Sequence, residues 1–319
     1  MQSVFPEANR SEWIRAQRPA RRAGLDPFKP HGVFLEREPD RSGQIRDSGV
    51  ILLTNKECPW RCLMCDLWTG TLRETVPVGA IPRQIDFALA QLGCQPEQVK
   101  LYNSGSFFDP AAIPIADYSA IAERVAFAKN IIVEAHPRLI GDQAVRFRDL
   151  LAGSLEVAIG LETVHPDILP RLNKKFTLAH FAQAVKFLRK EGVAARAFIL
   201  LKPPFLTETD AIEWAHKSAE FAFGCGADVV SILPTRTGNG ALNRLAESGE
   251  FSPPTLSALE RTFARALGLR CGRVFVDTWD LPLFSSCPTC FERRRRRLQT
   301  MNLRQVVLPQ EACAGCGEG

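Results

Sequence analysis

No apolar run in the 319-residue chain approaches the ~20 residues that a membrane-spanning helix needs, and Met1 to Asn9 has no basic start followed by an apolar block. Export and membrane insertion are therefore not expected, and the expected location is the cytoplasm. Histidine is sparse. The five present, His31, His136, His165, His180 and His216, make no two-His ligand pair at helical spacing. The chain also lacks a Gly-x-Ser-x-Gly nucleophile elbow and a phosphate-binding Gly-rich loop with its lysine, which sets aside the commonest hydrolase and nucleotide-hydrolysing designs. There is no internal repeat, and the one low-complexity tract is Arg293 to Arg297.

With 45% apolar and 24% charged residues, the composition is that of a globular protein able to bury a sizeable core. The net charge of +5 is unevenly placed. Residues 1–48 carry nine Lys/Arg against seven Asp/Glu, residues 49–286 are balanced at 25 each, and residues 287–319 carry six against three. The excess lies at the two ends, and the five consecutive arginines make the C-terminal segment a candidate phosphate-contacting element or, failing a partner, a solvated basic face.

Seven of the ten cysteines fall into groups. Cys58-Pro59-Trp60-Arg61-Cys62-Leu63-Met64-Cys65 follows the apolar run Val50 to Leu53, and its spacing is that of iron–sulfur ligation. Three thiolates on a four-iron cluster leave one iron open to a small molecule. The alternative is three buried or zinc-binding thiols. This loop resembles that of the radical S-adenosylmethionine (SAM) superfamily. The resemblance implies a [4Fe-4S] cluster on Cys58, Cys62 and Cys65, SAM bound at the open iron and split to a 5′-deoxyadenosyl radical, and an electron donor such as flavodoxin or ferredoxin. Cys287-Pro288-Thr289-Cys290 and Cys313-Ala314-Gly315-Cys316 form a second set, two Cys-x2-Cys pairs that can close a zinc site or hold an auxiliary cluster. Zinc is the expectation. The isolated Cys94, Cys225 and Cys271 read as small buried hydrophobes.

From Val50 onward, short β-branched runs alternate with amphipathic helices, the pattern of a parallel sheet. Strands are expected at Val50–Thr54, Val99–Asn103, Ile131–Ala135, Glu156–Gly160, Ala197–Leu201, Asp228–Ile232 and Arg273–Asp277, with helices at Pro82–Leu92, Leu178–Glu191, Glu208–Phe223 and Pro253–Leu267. This is an α/β chain with a partial (β/α)6 TIM-like barrel, preceded by an extension (1–48) lying over it and followed by a small four-cysteine module (287–319). Catalytic groups of such barrels gather just after the strands. There stand Asn103-Ser104-Gly105-Ser106, Glu134-Ala135-His136-Pro137, Gly160-Leu161-Glu162-Thr163, Lys202 and Arg236. His136, preceding proline in a turn, reads as a rim or capping residue.

Gly160 to Thr163 and the turn Asn173-Lys174-Lys175-Phe176 resemble the subgroup holding the elongator catalytic subunit and the methylthiotransferases, with Lys175 where that subgroup has Gly. The segments at 104–109, 134–137, 202–206 and 232–240 resemble the radical SAM subunit of archaeosine synthase, a likeness running from about Val50 to Cys290. It implies a SAM pocket built from Ser104, Gly105, Glu134 and Glu162, although the glutamate usual after the second strand is missing. Arg196, Lys202 and Arg236 are candidates to face substrate. The function expected is radical SAM chemistry on a nucleobase in RNA, most simply tRNA. The alternatives are a radical enzyme with an auxiliary cluster acting on a peptide or small molecule, and a non-catalytic zinc and nucleic-acid binding protein.

Overall fold

The computed structural model describes residues 3–310 and 312–316, so Met1, Gln2, Glu311 and the last three residues of the C-terminal module lie outside the described residues. In chain order the elements are α1 (Arg10–Gln17), β1 (Gly32–Pro39), β2 (Ile45–Leu52), α2 (Ala80–Leu92), β3 (Gln98–Tyr102), α3 (Tyr118–Arg124), β4 (Asn130–Ala135), α4 (Asp142–Leu150), β5 (Ser154–Glu162), α5 (Ile168–Arg171), α6 (Leu178–Lys190), β6 (Ala194–Leu201), α7 (Glu208–Cys225), β7 (Val229–Pro234), α8 (Ala241–Glu247), α9 (Leu256–Gly268), β8 (Arg273–Val276) and α10 (Pro288–Arg304). One eight-stranded sheet runs in the order β1 to β8. β2 to β8 are parallel, as in a partial barrel, and β1 pairs antiparallel with β2. No helix among the described residues is long and apolar enough to cross a membrane.

Alternation along each strand separates the two faces. On β5, Val157, Ile159 and Leu161 join the core beneath the helices, while Ala158, Gly160 and Glu162 line an inner cavity. β6 repeats the pattern, with Ala195, Ala197 and Ile199 outward and Arg196, Phe198 and Leu200 inward. Helix starts follow local chemistry. Thr177 and His180 form a reciprocal cap on α6, and the Thr255 hydroxyl accepts from the Ala258 N–H at 3.1 Å, so α9 begins after Pro253 and Pro254 instead of with proline in its first turn.

The N-terminal residues are ordered and do more than lie over the barrel. Residues 32–52 form a hairpin that adds an edge strand, and residues 3–17 build a second apolar cluster in which Phe5 and Ile14 pack with Leu63, Leu242, Leu245 and Phe251. Two of the isolated cysteines are corrections to the sequence reading. Cys94 and Cys271 are exposed and Cys225 is half-buried, because the first two sit in the turns after α2 and α9, where the chain reverses at the surface.

At the far edge, α10 covers β8. Asn302 and Gln305 each bond the N–H and the carbonyl of a β8 residue, Val276 and Val274 respectively, at 2.7 to 2.9 Å. The last strand is thus capped by side-chain amides in place of a neighbouring strand.

Candidate active site

The cysteine loop leaves β2 through buried Thr54 and Asn55 and is pinned by its own backbone. Leu63 N–H donates to the Leu172 carbonyl at 2.9 Å, and the Asn173 and Asn239 amides donate to the carbonyls of Arg61 and Leu63, both at 2.7 Å. Trp60, between the first two cysteines, stacks on His136 with ring centroids 3.6 Å apart and planes 6° from parallel. His136 takes its place through both nitrogens. Nδ1 accepts from the Arg138 N–H at 3.3 Å, capping the turn after β4, so Nε2 carries the proton toward the Lys174 carbonyl at 2.9 Å. Burial first, then Lys174, lowers its pKa to about 3, so the ring is neutral.

Cys58, Cys62 and Cys65 line the upper wall of the cavity beside Ser104, Gly105, Glu134, Glu162 and Lys174. The geometry therefore brings together the three cysteines expected to hold a cluster and all four residues expected for the SAM pocket. Burial pushes the Cys58 thiol up to about 11, the Cys65 thiol up to about 12 and the Cys62 thiol upward as well. Lys174 favours the thiolate at Cys58 and Cys62. At Gly105 a Cβ would come within 3.2 Å of the Cys58 Cβ, so the second loop is shaped to lie against the first. A cradle of three sulfurs, one bare glycine and one buried ammonium fits a thiolate-ligated, electron-accepting cluster of the kind the spacing implies.

The carboxylates hold this wall in shape. Glu134 Oε1 accepts from the Asn103 N–H at 2.6 Å and from the Gly105 N–H at 3.3 Å, which holds Ser104 in a left-handed conformation at φ 55°. Burial raises the Glu134 pKa although these N–H groups oppose it. Glu162 sits at φ 66° where the β5–β6 register shifts, and pairs with Lys174, whose ammonium also donates to the Gly160 carbonyl at 2.9 Å. Burial opposes the Lys174 charge, but Glu162 and the Cys62 thiol outweigh it and raise the pKa. Lys174 was not singled out from the sequence. Its signal was the Asn173 to Phe176 turn, whose Asn and Lys both point back to the cysteine loop.

The cavity holds about 790 Å³. Its floor is ionic: Glu38 pairs with Lys100 and Arg196, Glu36 with Lys100, and Glu156 with Arg196 and Arg273. Arg196 is thus engaged from two sides within the floor. Lys202 lies outside the cavity wall, donating to Ser252 Oγ at 2.9 Å and the Pro253 carbonyl at 3.3 Å. Arg236 stands at the mouth, 3.3 Å from Asp280, 3.7 Å from Asp66 and 3.8 Å from Asp277.

At the C-terminal end the four sulfurs of Cys287, Cys290, Cys313 and Cys316 lie within 4.8 Å of one another, Cys287 to Cys313 at 4.0 Å and Cys290 to Cys316 at 3.8 Å. N–H groups at the start of α10 draw the Cys287 thiol down to about 6, and the Gly315 N–H lowers Cys313. The arginine run is not a uniformly solvated basic face. It lies on α10, where Arg294 is buried against Glu260 at 2.7 Å and Arg297 donates to the Leu308 carbonyl at 2.6 Å, which leaves Arg293 and Arg296 exposed.

No family model matches the chain. It is 34% identical over 209 residues to archaeosine synthase subunit beta of Thermococcus kodakarensis, covering 62% of this chain and 64% of that protein. With the same subunit of Methanosarcina acetivorans it shares 28% over 219 residues, 65% of this chain and 63% of the relative. In both cases the match spans less than two thirds of the relative's length. The fold is similar to that of SuiB of Streptococcus suis bound to the precursor peptide SuiA, with a TM-score of 0.52 at 14% identity over 71% of this chain and 48% of that one. Cysteine loop, partial barrel and relatives agree: the chain resembles the radical SAM superfamily, and within it the branch of the archaeosine synthase beta subunits.

Proposed function

We propose that this protein reductively cleaves SAM and uses the product radical on a nucleobase of RNA, most simply tRNA. The observation that carries the reading is that Cys58, Cys62 and Cys65 open onto the same cavity as Ser104, Gly105, Glu134 and Glu162, with aromatic walls below them. Cys58, Cys62 and Cys65 would hold the four-iron cluster, which when bound supplies the electron that SAM cleavage needs. The Ser104 to Gly105 loop and Glu162 would orient SAM. The nucleobase reading is supported by the similarity to subunits named for archaeosine synthase.

The four C-terminal cysteines would hold one zinc ion. Thiolates 2.3 Å from a common centre are about 3.8 Å apart in a tetrahedron, close to the separations found, whereas a four-iron cluster spreads its ligands over four separate irons. This weighs against the auxiliary-cluster reading.

The test is 5′-deoxyadenosine formation by anaerobically reconstituted protein with SAM and a chemical reductant. Wild-type protein should form it, and Cys58→Ala, Cys62→Ala and Cys65→Ala should not, while retaining the wild-type circular dichroism. Undiminished product from any of the three sinks the cluster assignment, and a colourless, iron-free protein after reconstitution favours the non-catalytic reading.

A further inference from the structure

Three guanidinium groups converge on the residue that precedes the cysteine loop. Arg18 and Arg21, from the N-terminal segment, and Arg61, inside the loop, all pair with Glu57, at 2.7, 2.5 and 3.3 Å. One carboxylate answers three cations, so positive charge is left over beside the loop. Two more cations are tied to the Trp60–His136 stack. The Arg138 N–H donates to His136 Nδ1 at 3.3 Å and its guanidinium to the Lys175 carbonyl at 3.4 Å, while the carbonyl of Lys174, the preceding residue, accepts from His136 at 2.9 Å. Arg138 and Lys175 are exposed, as is Pro59 in the loop. Asp109, whose charge reaches the Cys58 thiol, offsets one of these five cations.

This basic rim adjoins the place where an electron is needed. Cys58, Cys62, Trp60 and His136 all line the cavity, and exposed Pro59, Arg138 and Lys175 follow within one or two positions of these residues or of Lys174. Electron transfer through protein falls off steeply with distance, so a donor must seat close to the sulfurs. The forks of the arginines are largely spent within the protein. Arg21 also donates to the Thr71 carbonyl at 2.5 Å, and Arg61 to the Cys58 and Trp60 carbonyls at 2.6 and 2.9 Å. RNA recognition uses free forks and open aromatic faces, and His136 covers a face of Trp60. What the rim presents outward is net charge, which attracts an acidic protein surface without needing free donors.

We propose that Pro59 to Arg61, with Arg138 and Lys175, form the docking surface for an acidic one-electron carrier protein. This rests on the SAM-cleavage reading above. In the step it serves, the reduced carrier loses one electron and the cluster on the three cysteines gains it, with no bond made or broken.

The test uses the full-length reconstituted protein with flavodoxin as the carrier. Binding of oxidised flavodoxin is followed by calorimetry at several salt concentrations, and 5′-deoxyadenosine formation is driven either by reduced flavodoxin or by dithionite. Arg138→Glu with Lys175→Glu should weaken flavodoxin binding about tenfold or more, flatten its salt dependence and slow flavodoxin-driven product formation to match. Dithionite-driven product should stay within about twofold of wild type, because a small reductant needs no docking surface. No salt-dependent flavodoxin binding by the wild type, or equal binding and equal flavodoxin-driven rates in the double variant, overturns the surface and leaves SAM cleavage standing. Loss of affinity for an RNA hairpin in the variant with flavodoxin binding unchanged also overturns it and makes the rim an RNA contact. No product from the wild type with dithionite overturns SAM cleavage and the docking surface with it.

Discussion

Asn302 donates to the carbonyl of Val276 and accepts from its N–H, each at 2.9 Å, as a neighbouring strand would. Gln305, three residues on, treats Val274 in the same way. Because Val274 and Val276 are buried, removing an amide strands two backbone groups without water, at about 1 to 3 kcal/mol each. Asn302→Ala should therefore destabilise the protein by about 2 kcal/mol or more. Urea unfolding checks this, and a change below about 0.5 kcal/mol would show that the edge finds another partner.

The four-cysteine site predicts metal content as well as stability. Purified protein should hold about one zinc in addition to the iron of one four-iron cluster. Since Cys287 caps α10 and Cys290 lies in its first turn, and α10 carries Asn302 and leads directly into Gln305, stripping this zinc should loosen the helix and lower the melting temperature. Elemental analysis giving eight irons and no zinc would move the site to an auxiliary cluster.

The parallel strands and the cysteine loop were legible because both signals are local: alternation of apolar runs with helices, and ligand spacing within eight residues. The strand β1 was not. Its inward residues Phe34, Glu36 and Glu38 give a strand with carboxylates on its buried side, and the partners that allow it, Lys100 and Arg196, are 62 and 158 residues from Glu38. The arginine run misled for the same reason. A buried ion pair between Arg294 and Glu260 joins two helices 34 residues apart, and composition alone cannot tell it from a solvated basic face. The Phe34–Trp279 pair likewise joins the two edges of the sheet, which the sequence keeps far apart.

The ionic floor gives a contrast between two glutamates. Burial works against the Glu38 carboxylate, yet Arg196 and Lys100 together hold its pKa well below the usual range. Glu38→Gln removes that charge and leaves two buried cations short of a partner, at about 3 kcal/mol or more. The Glu36 side chain is one-third exposed and shares Lys100, so Glu36→Gln should cost about 1 kcal/mol or less. Urea unfolding at neutral pH compares them, and equal losses would contradict the packing of the floor.

His136 sets a pH dependence of opposite origin. Its ring is neutral when folded, with a pKa lowered to about 3 by burial and then by Lys174, against 6.5 when unfolded. Below 6.5 the unfolded chain takes up a proton that the folded one refuses, so the stability linked to this ring is complete above 6.5 and falls as the pH drops toward about 3. The slope approaches about 1.4 kcal/mol per pH unit within that window, or about 2 kcal/mol between neutral pH and pH 5. His136→Asn cannot charge. It should be less stable at pH 8, where it lacks the stack on Trp60, and should lose less on acidification, so that the difference between the two proteins narrows by about 2 kcal/mol at pH 5. Other histidines and the carboxylates titrate in both proteins and cancel. Parallel curves of unfolding free energy against pH would mean that His136 is protonated in the folded protein, and the neutral ring between Trp60 and the Lys174 carbonyl would have to be given up.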